Sequence, residues 1–155
     1  MNVLIADTDA GVRKNLVQLF QVLSPRIKTT EVENGKVALH ALTENKFDFI
    51  VTELDMEGGS GDAFIRHLKA SRLLSRKPIV VYSNREFDDG DSENISHIHK
   101  EFTPLTELGR IIRELIFKYF ICGSCEEAVD GVSCGDLCFY KSLDPKWQEK
   151  LNILK

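Results

Sequence analysis

No stretch of the 155-residue chain approaches the roughly 20 consecutive apolar residues of a membrane-spanning helix, so no membrane span is expected. The start, Met1 to Asp7, has neither a basic flank nor a long apolar segment, so it does not read as a secretory signal, and a cytoplasmic protein is the expectation. An excess of basic residues is also missing. The formal charge is −4, which argues against a sequence-independent grip on nucleic acid, since that needs a basic face. Cysteine is absent from the first 121 residues, and all four cysteines crowd into 122–138. That contrast marks a boundary, with one unit over residues 1–120 and a Cys-rich extension over 121–155. The hydrophobic share of 43% and charged share of 28% are those of a packed domain and exclude disorder. A chain of this length buries roughly two thirds of its surface on folding.

The charge is evenly spread apart from one stretch. Between Asn84 and Glu93, five acids (Glu86, Asp88, Asp89, Asp91, Glu93) face Arg85 alone, so these ten residues carry as much net charge as the whole chain. Without apolar periodicity the stretch reads as a solvated loop.

Hydrophobic patterning gives alternating strands and helices. Val3–Ala6 is a continuous apolar run, as expected of a strand buried on both faces. A helix opens at Asp9, carries Val12, Leu16, Leu19, Phe20 and Leu23 on one face, and stops at Ser24-Pro25. Ile27–Val32 reads as the second strand. Asn34-Gly35 precedes a short helix with Val37, Ala38, Leu39 and Leu42, and Phe47–Thr52 is the third strand. After the Gly-rich loop Glu57–Gly61 a helix runs through Phe64, Ile65 and Leu68 to Leu74. Pro78–Tyr82 and Ile95–His99 are the fourth and fifth strands, and a last helix starts near Pro104. This alternation predicts a doubly wound α/β fold: a five-stranded parallel sheet with right-handed crossovers and helices on both faces. The working crevice of such a sheet lies beyond the carboxyl ends of its strands, where Asp7, Thr8, Glu53, Ser83 and Lys100 fall.

Four segments together carry a resemblance: Leu4-Ile5-Ala6-Asp7-Thr8-Asp9, Asp48–Gly61, Pro78-Ile79-Val80-Val81-Tyr82-Ser83 and His99-Lys100-Glu101-Phe102. As an ordered set over about residues 1–119 they resemble the receiver domain of two-component response regulators, with its flavodoxin-like fold. In that family a pair of acids binds Mg²⁺ and a third-strand Asp accepts phosphate from a histidine kinase. A hydroxyl and a Lys then hold the phosphoryl group. The resemblance places Asp7 at the first acid, Ser83 at the switch hydroxyl and Lys100 at the switch lysine. It also shows two departures. Thr8 stands at the second acid, which counts against Mg²⁺, and Glu53 stands at the phospho-acceptor position. A glutamate is one methylene longer, which displaces the attacking oxygen by about an ångström and penalises in-line transfer.

The expected occupant of this site is a Glu53–Lys100 ion pair, in a pseudo-receiver that signals through protein contacts and is not an enzyme. A purely local salt bridge is the plainer alternative. Asp55, two residues on, is expected at the rim of the crevice, paired with Arg85. A regulator phosphorylated at Asp55 or Glu53 is the second reading. The partners implied are signalling proteins, a histidine kinase or a downstream effector, and homodimerisation stays open. Only sixteen residues separate Ser83 from Lys100, and they include the acidic stretch, so the helix that usually joins the fourth and fifth strands of receivers is expected to be missing or cut to a turn. His97 replaces an aromatic common in the family and is expected to pack at the surface as a strand-edge residue.

In the extension, Cys122-Gly-Ser-Cys125 and Cys134-Gly-Asp-Leu-Cys138 form two close thiol pairs, each with an adjacent glycine that lets both sulfurs turn toward one ion. That pattern points to a tetrahedral Zn²⁺ site, with disulfides or inert cysteines as the alternatives. A metal or thiol sensor built on this cluster is the third functional reading. Asp144-Pro145 then opens an amphipathic terminal helix bearing Trp147, Leu151 and Leu154.

Overall fold

The computed structural model describes residues 1–57, 60–71, 77–88 and 92–120. The expected helix residues around Leu74, Gly58-Gly59, the Asp89–Asp91 part of the acidic stretch, the four cysteines and the terminal helix lie outside these residues.

Five strands, β1 (Asn2–Ala6), β2 (Lys28–Val32), β3 (Phe49–Thr52), β4 (Ile79–Ser83) and β5 (Ile95–His99), form one parallel sheet in the order β2-β1-β3-β4-β5. Among the described residues four helices connect or follow them: α1 (Ala10–Leu23), α2 (Gly35–Glu44), α3 (Ser60–Ala70) and α4 (Leu105–Phe120). The doubly wound architecture expected from the apolar runs is therefore present.

Side-chain alternation divides the core into two halves. Leu4, Ala6, Ile50, Ile79, Val81 and Ile95 point to the side covered by α2 and α3. Val3, Ile5, Phe49, Val51, Val80, Tyr82 and Ile98 point to the side covered by α1 and α4. Because neighbouring residues of a strand face opposite ways and both faces are covered, the central strands must be apolar throughout. β3 is buried at every position.

The helix ends follow local chemistry. Asp9 caps α1 by accepting from the amides of Gly11 (2.6 Å) and Val12 (3.1 Å), and Asn34 caps α2 by accepting from Val37 (3.0 Å). α3 runs to Ala70 among the described residues. The Ser71 amide turns back to the carbonyls of His67 and Leu68, which closes the last turn. The starts of α2 and α3 meet in a tight seam. A side chain at Gly35 would collide with the Ser60 carbonyl, and one at Gly61 with the Leu54 carbonyl, so both positions require glycine by close approach.

None of the described residues between β4 and β5 is helical, in line with the shortened spacing. Phe87 covers the core there instead. It packs against the α2–α3 half of the core, meets the His97 ring edge-on at a centroid distance of 6.3 Å, and lies under the Lys69 ammonium at 4.8 Å. Lys69 also donates to the Asp88 carbonyl (2.9 Å), which ties the acidic loop to α3.

Candidate functional site

The carboxyl ends of β1, β3, β4 and β5 bring Asp7, Glu53, Ser83 and Lys100 together. Sheet hydrogen bonding continues one step past each strand to place them: the Glu53 amide donates to the Ala6 carbonyl (2.8 Å), and the Lys100 amide to the Ser83 carbonyl (3.2 Å). Asp7, Glu53 and Ser83 are buried, and the Lys100 side chain is 16% exposed.

Lys100 spans the crevice from the β5 edge. Its ammonium donates to Asp7 Oδ2 at 2.6 Å and forms an ion pair with Glu53 Oε2, passing 5.5 Å from the centre of the Tyr82 ring. The Glu53–Lys100 pair expected from the sequence is present, and Asp7 joins it. The remaining oxygen of Glu53, Oε1, accepts from the backbone amides of Leu54 (2.6 Å) and Asp55 (3.0 Å). The Ser83 hydroxyl supports the same carboxylate. Asp7 Oδ1 accepts from the Asp9 amide at 2.8 Å. Each carboxylate oxygen of Asp7 and Glu53 accepts from at least one donor within the protein.

The pKa values of the two acids shift in opposite directions because their surroundings differ. Burial works to raise Glu53, but hydrogen bonds from Lys100, Ser83 and the Asp55 amide outweigh it and hold Glu53 below the usual glutamate range. For Asp7, burial dominates the bonds from Lys100 and Asp9, and the Glu53 charge adds to it, so its pKa is raised. Burial opposes the Lys100 charge, yet the two carboxylates raise its pKa above the usual lysine value.

Other sequence candidates fall outside this cluster. Thr8 is exposed, and its carbonyl accepts from the Arg13 guanidinium (3.1 Å), which also takes the Asp7 carbonyl (2.7 Å). Asp55 is exposed at the rim, as expected. Its expected pairing with Arg85 is corrected: Arg85 instead bonds Asp62 Oδ1 at 2.6 Å. The reason is that α3 projects Asp62 from its first turn toward the loop after β4. The Arg85 amide meanwhile donates to Ser83 Oγ (3.1 Å) and fixes that loop against the crevice. His97 is half-buried, and its Nε2 is enclosed without a hydrogen-bond partner. The sequence reading missed Arg13, whose signal was its place one turn into α1, and Asp62, whose signal was an acid in the first turn of α3. The cysteines proposed for metal, Cys122, Cys125, Cys134 and Cys138, lie outside the described residues. Among the described residues no group of three or more His, Cys, Asp or Glu forms a metal cluster, and no helix is long and apolar enough to cross a membrane.

The arrangement of acids, hydroxyl and lysine at four strand ends agrees with the comparisons. A family model described as the response regulator receiver domain matches residues 3–100. The chain belongs to that family. It is 31% identical over 81 residues to the chemotaxis protein CheY of Pseudomonas aeruginosa, covering 52% of this chain and 64% of the relative. It is 30% identical over 81 residues to chemotaxis protein CheY-3 of Vibrio cholerae, covering 52% of this chain and 62% of the relative. The matches thus span less than two thirds of these relatives' lengths. Among solved structures, the fold is similar to the Thermotoga maritima response regulator TrrA in complex with Mg²⁺ and BeF, at TM-score 0.59 and 19% identity over 74% of this chain and 97% of that one. It is also similar to the phosphorylated cyanobacterial phytochrome response regulator RcpA, at TM-score 0.63 and 17% identity over 77% and 94%.

Proposed function

We propose that this receiver domain is a pseudo-receiver: a non-enzymatic signalling module that works by binding other proteins and does not accept a phosphoryl group. The observation that carries this reading is the saturation of the Glu53 carboxylate. One oxygen is held by two backbone amides and the other by Lys100, so neither is free to attack phosphorus in line. Glu53 is also buried, which leaves a phosphodonor little approach. The residues present do not fit the Mg²⁺ that the family resemblance implies. A hard cation needs several carboxylate or carbonyl oxygens, whereas Thr8 brings no carboxylate and the Lys100 ammonium already holds an oxygen of both Asp7 and Glu53. Lys100 supplies from within the chain the positive charge that a divalent cation would otherwise bring to the two carboxylates.

The partners that suit such a module are other signalling proteins, a histidine kinase or a downstream effector, read through one fixed conformation of the crevice face. Asp55, two residues past Glu53, is exposed, and phosphorylation there is the second reading. Intact mass after incubation with acetyl phosphate and Mg²⁺ tests the proposal. The expected mass is unchanged. A phosphate adduct that disappears in Glu53→Ala or in Asp55→Asn would overturn it.

A further inference from the structure

The last two turns of α1 and the first half of α4 enclose an open groove of about 510 Å³. Its walls are Leu19, Val22 and Leu23 on one side and Leu105 and Gly109 on the other, with Arg110 and Arg113 at one edge. Val22 is 63% exposed and Leu105 43% exposed, although both lie on helices whose other faces fill the core. A contiguous apolar groove of this size is within the range that binds a ligand or another segment of protein.

We propose that the occupant is the chain's own segment Asp144–Lys155. Its apolar residues Trp147, Leu151 and Leu154 recur at the spacing of one helix face, and Asp144-Pro145 supplies a cap and a first helical residue. A stripe of that kind does not stay in water when an apolar groove is within reach, because removing large apolar side chains from water is favourable in proportion to the area buried. Reach is ample. Gly109 lies eleven residues before Phe120 on α4, a distance of about 16 Å along the helix. The 23 residues between Phe120 and Asp144 span about 26 Å on average even as a coil, so the tether places the segment at an effective concentration near the millimolar range at the groove. The groove is thus a docking site for the C-terminus, which covers the α1–α4 face and leaves the crevice face open.

Trp147 is the only tryptophan, so its fluorescence reports the segment directly in the full chain. The expected result is a blue-shifted emission protected from acrylamide, with the protection lost several-fold in Val22→Lys and in Leu105→Asp. Both positions are exposed, so far-UV circular dichroism should stay that of the folded body. A Trp147 quenched in the native chain as freely as in an unstructured peptide overturns the proposal. So does protection that survives both substitutions, since the segment then packs elsewhere. Protection that grows with protein concentration overturns it as well, since the groove then belongs to a second copy.

Discussion

Lys100 and Asp7, 93 residues apart in sequence, meet in the crevice at 2.6 Å, and the same ammonium holds Glu53. One cation therefore neutralises two buried acids. Removing it leaves two like charges enclosed, which is the costly way to break an ion pair. Lys100→Met keeps most of the apolar stem and deletes the charge. It should lower stability by about 3 kcal/mol at neutral pH, measured by urea unfolding.

The pH dependence should change sign in the same variant. In the native protein Glu53 is held low, so its contribution is present above the ordinary glutamate pKa of about 4.3 and fades as pH falls through the lower folded value. Lys100 is held high, so its contribution is present below about 10.4 and fades as pH rises through the higher folded value. Asp7 works in the opposite sense, with a burial penalty that appears as pH rises through the carboxylate range. Without Lys100 both acids are pushed up, so Lys100→Met should gain stability as pH falls from about 7 toward 5. A variant that loses stability on that path would show that the lysine charge does not govern the acids.

Restoring phosphoryl chemistry should take two substitutions. Glu53→Asp shortens the acceptor and withdraws it from Lys100, but Thr8 still leaves a divalent ion short of one carboxylate. Thr8 is exposed, so Thr8→Asp brings in that charge at little cost to packing. The double variant is expected to gain a phosphate adduct with acetyl phosphate and Mg²⁺, and Glu53→Asp alone is not. Rapid labelling of the single variant would show the metal argument to be wrong.

Much of this was legible in the sequence because burial on both sheet faces forces runs such as Ile79–Tyr82 to be apolar throughout, and strand ends then locate the crevice. Glu53 and Lys100 could be paired from the resemblance, since a vacated phosphoryl site leaves an acid facing a lysine. The role of Asp7 in that pair was not legible, because it depends on how far the Lys100 stem reaches across neighbouring strands. The Asp62–Arg85 contact was hidden for a related reason. Two rim acids compete for one guanidinium, and only the direction of α3 decides between Asp55 and Asp62.

Phe87 stands where a helix would otherwise cover the sheet, and packing, not charge, should hold that loop. Phe87→Ala is expected to cost about 1–2 kcal/mol, given its partial burial. Arg85→Ala removes an exposed pair with Asp62 and should cost under about 1 kcal/mol. Thermal or urea unfolding of the two variants checks the order. A larger loss from Arg85→Ala would mean that the ion pair, and not the aromatic, fastens the loop.

Cys122, Cys125, Cys134 and Cys138 are expected to bind one Zn²⁺. Two close thiol pairs separated by eight residues, each pair with a glycine beside it, allow four sulfurs to converge on a tetrahedral ion. Thiolate ligands must lose their protons to bind, so affinity should rise with pH across the thiol range near 8.5. Protein purified without added metal should carry about one equivalent of zinc by elemental analysis. Cys125→Ser should lose most of it, since three thiolates and a hydroxyl hold zinc far less tightly. Zinc near zero together with oxidised cysteines by thiol titration would put disulfides in its place. Zinc near zero with four free thiols would end the cross-link idea altogether.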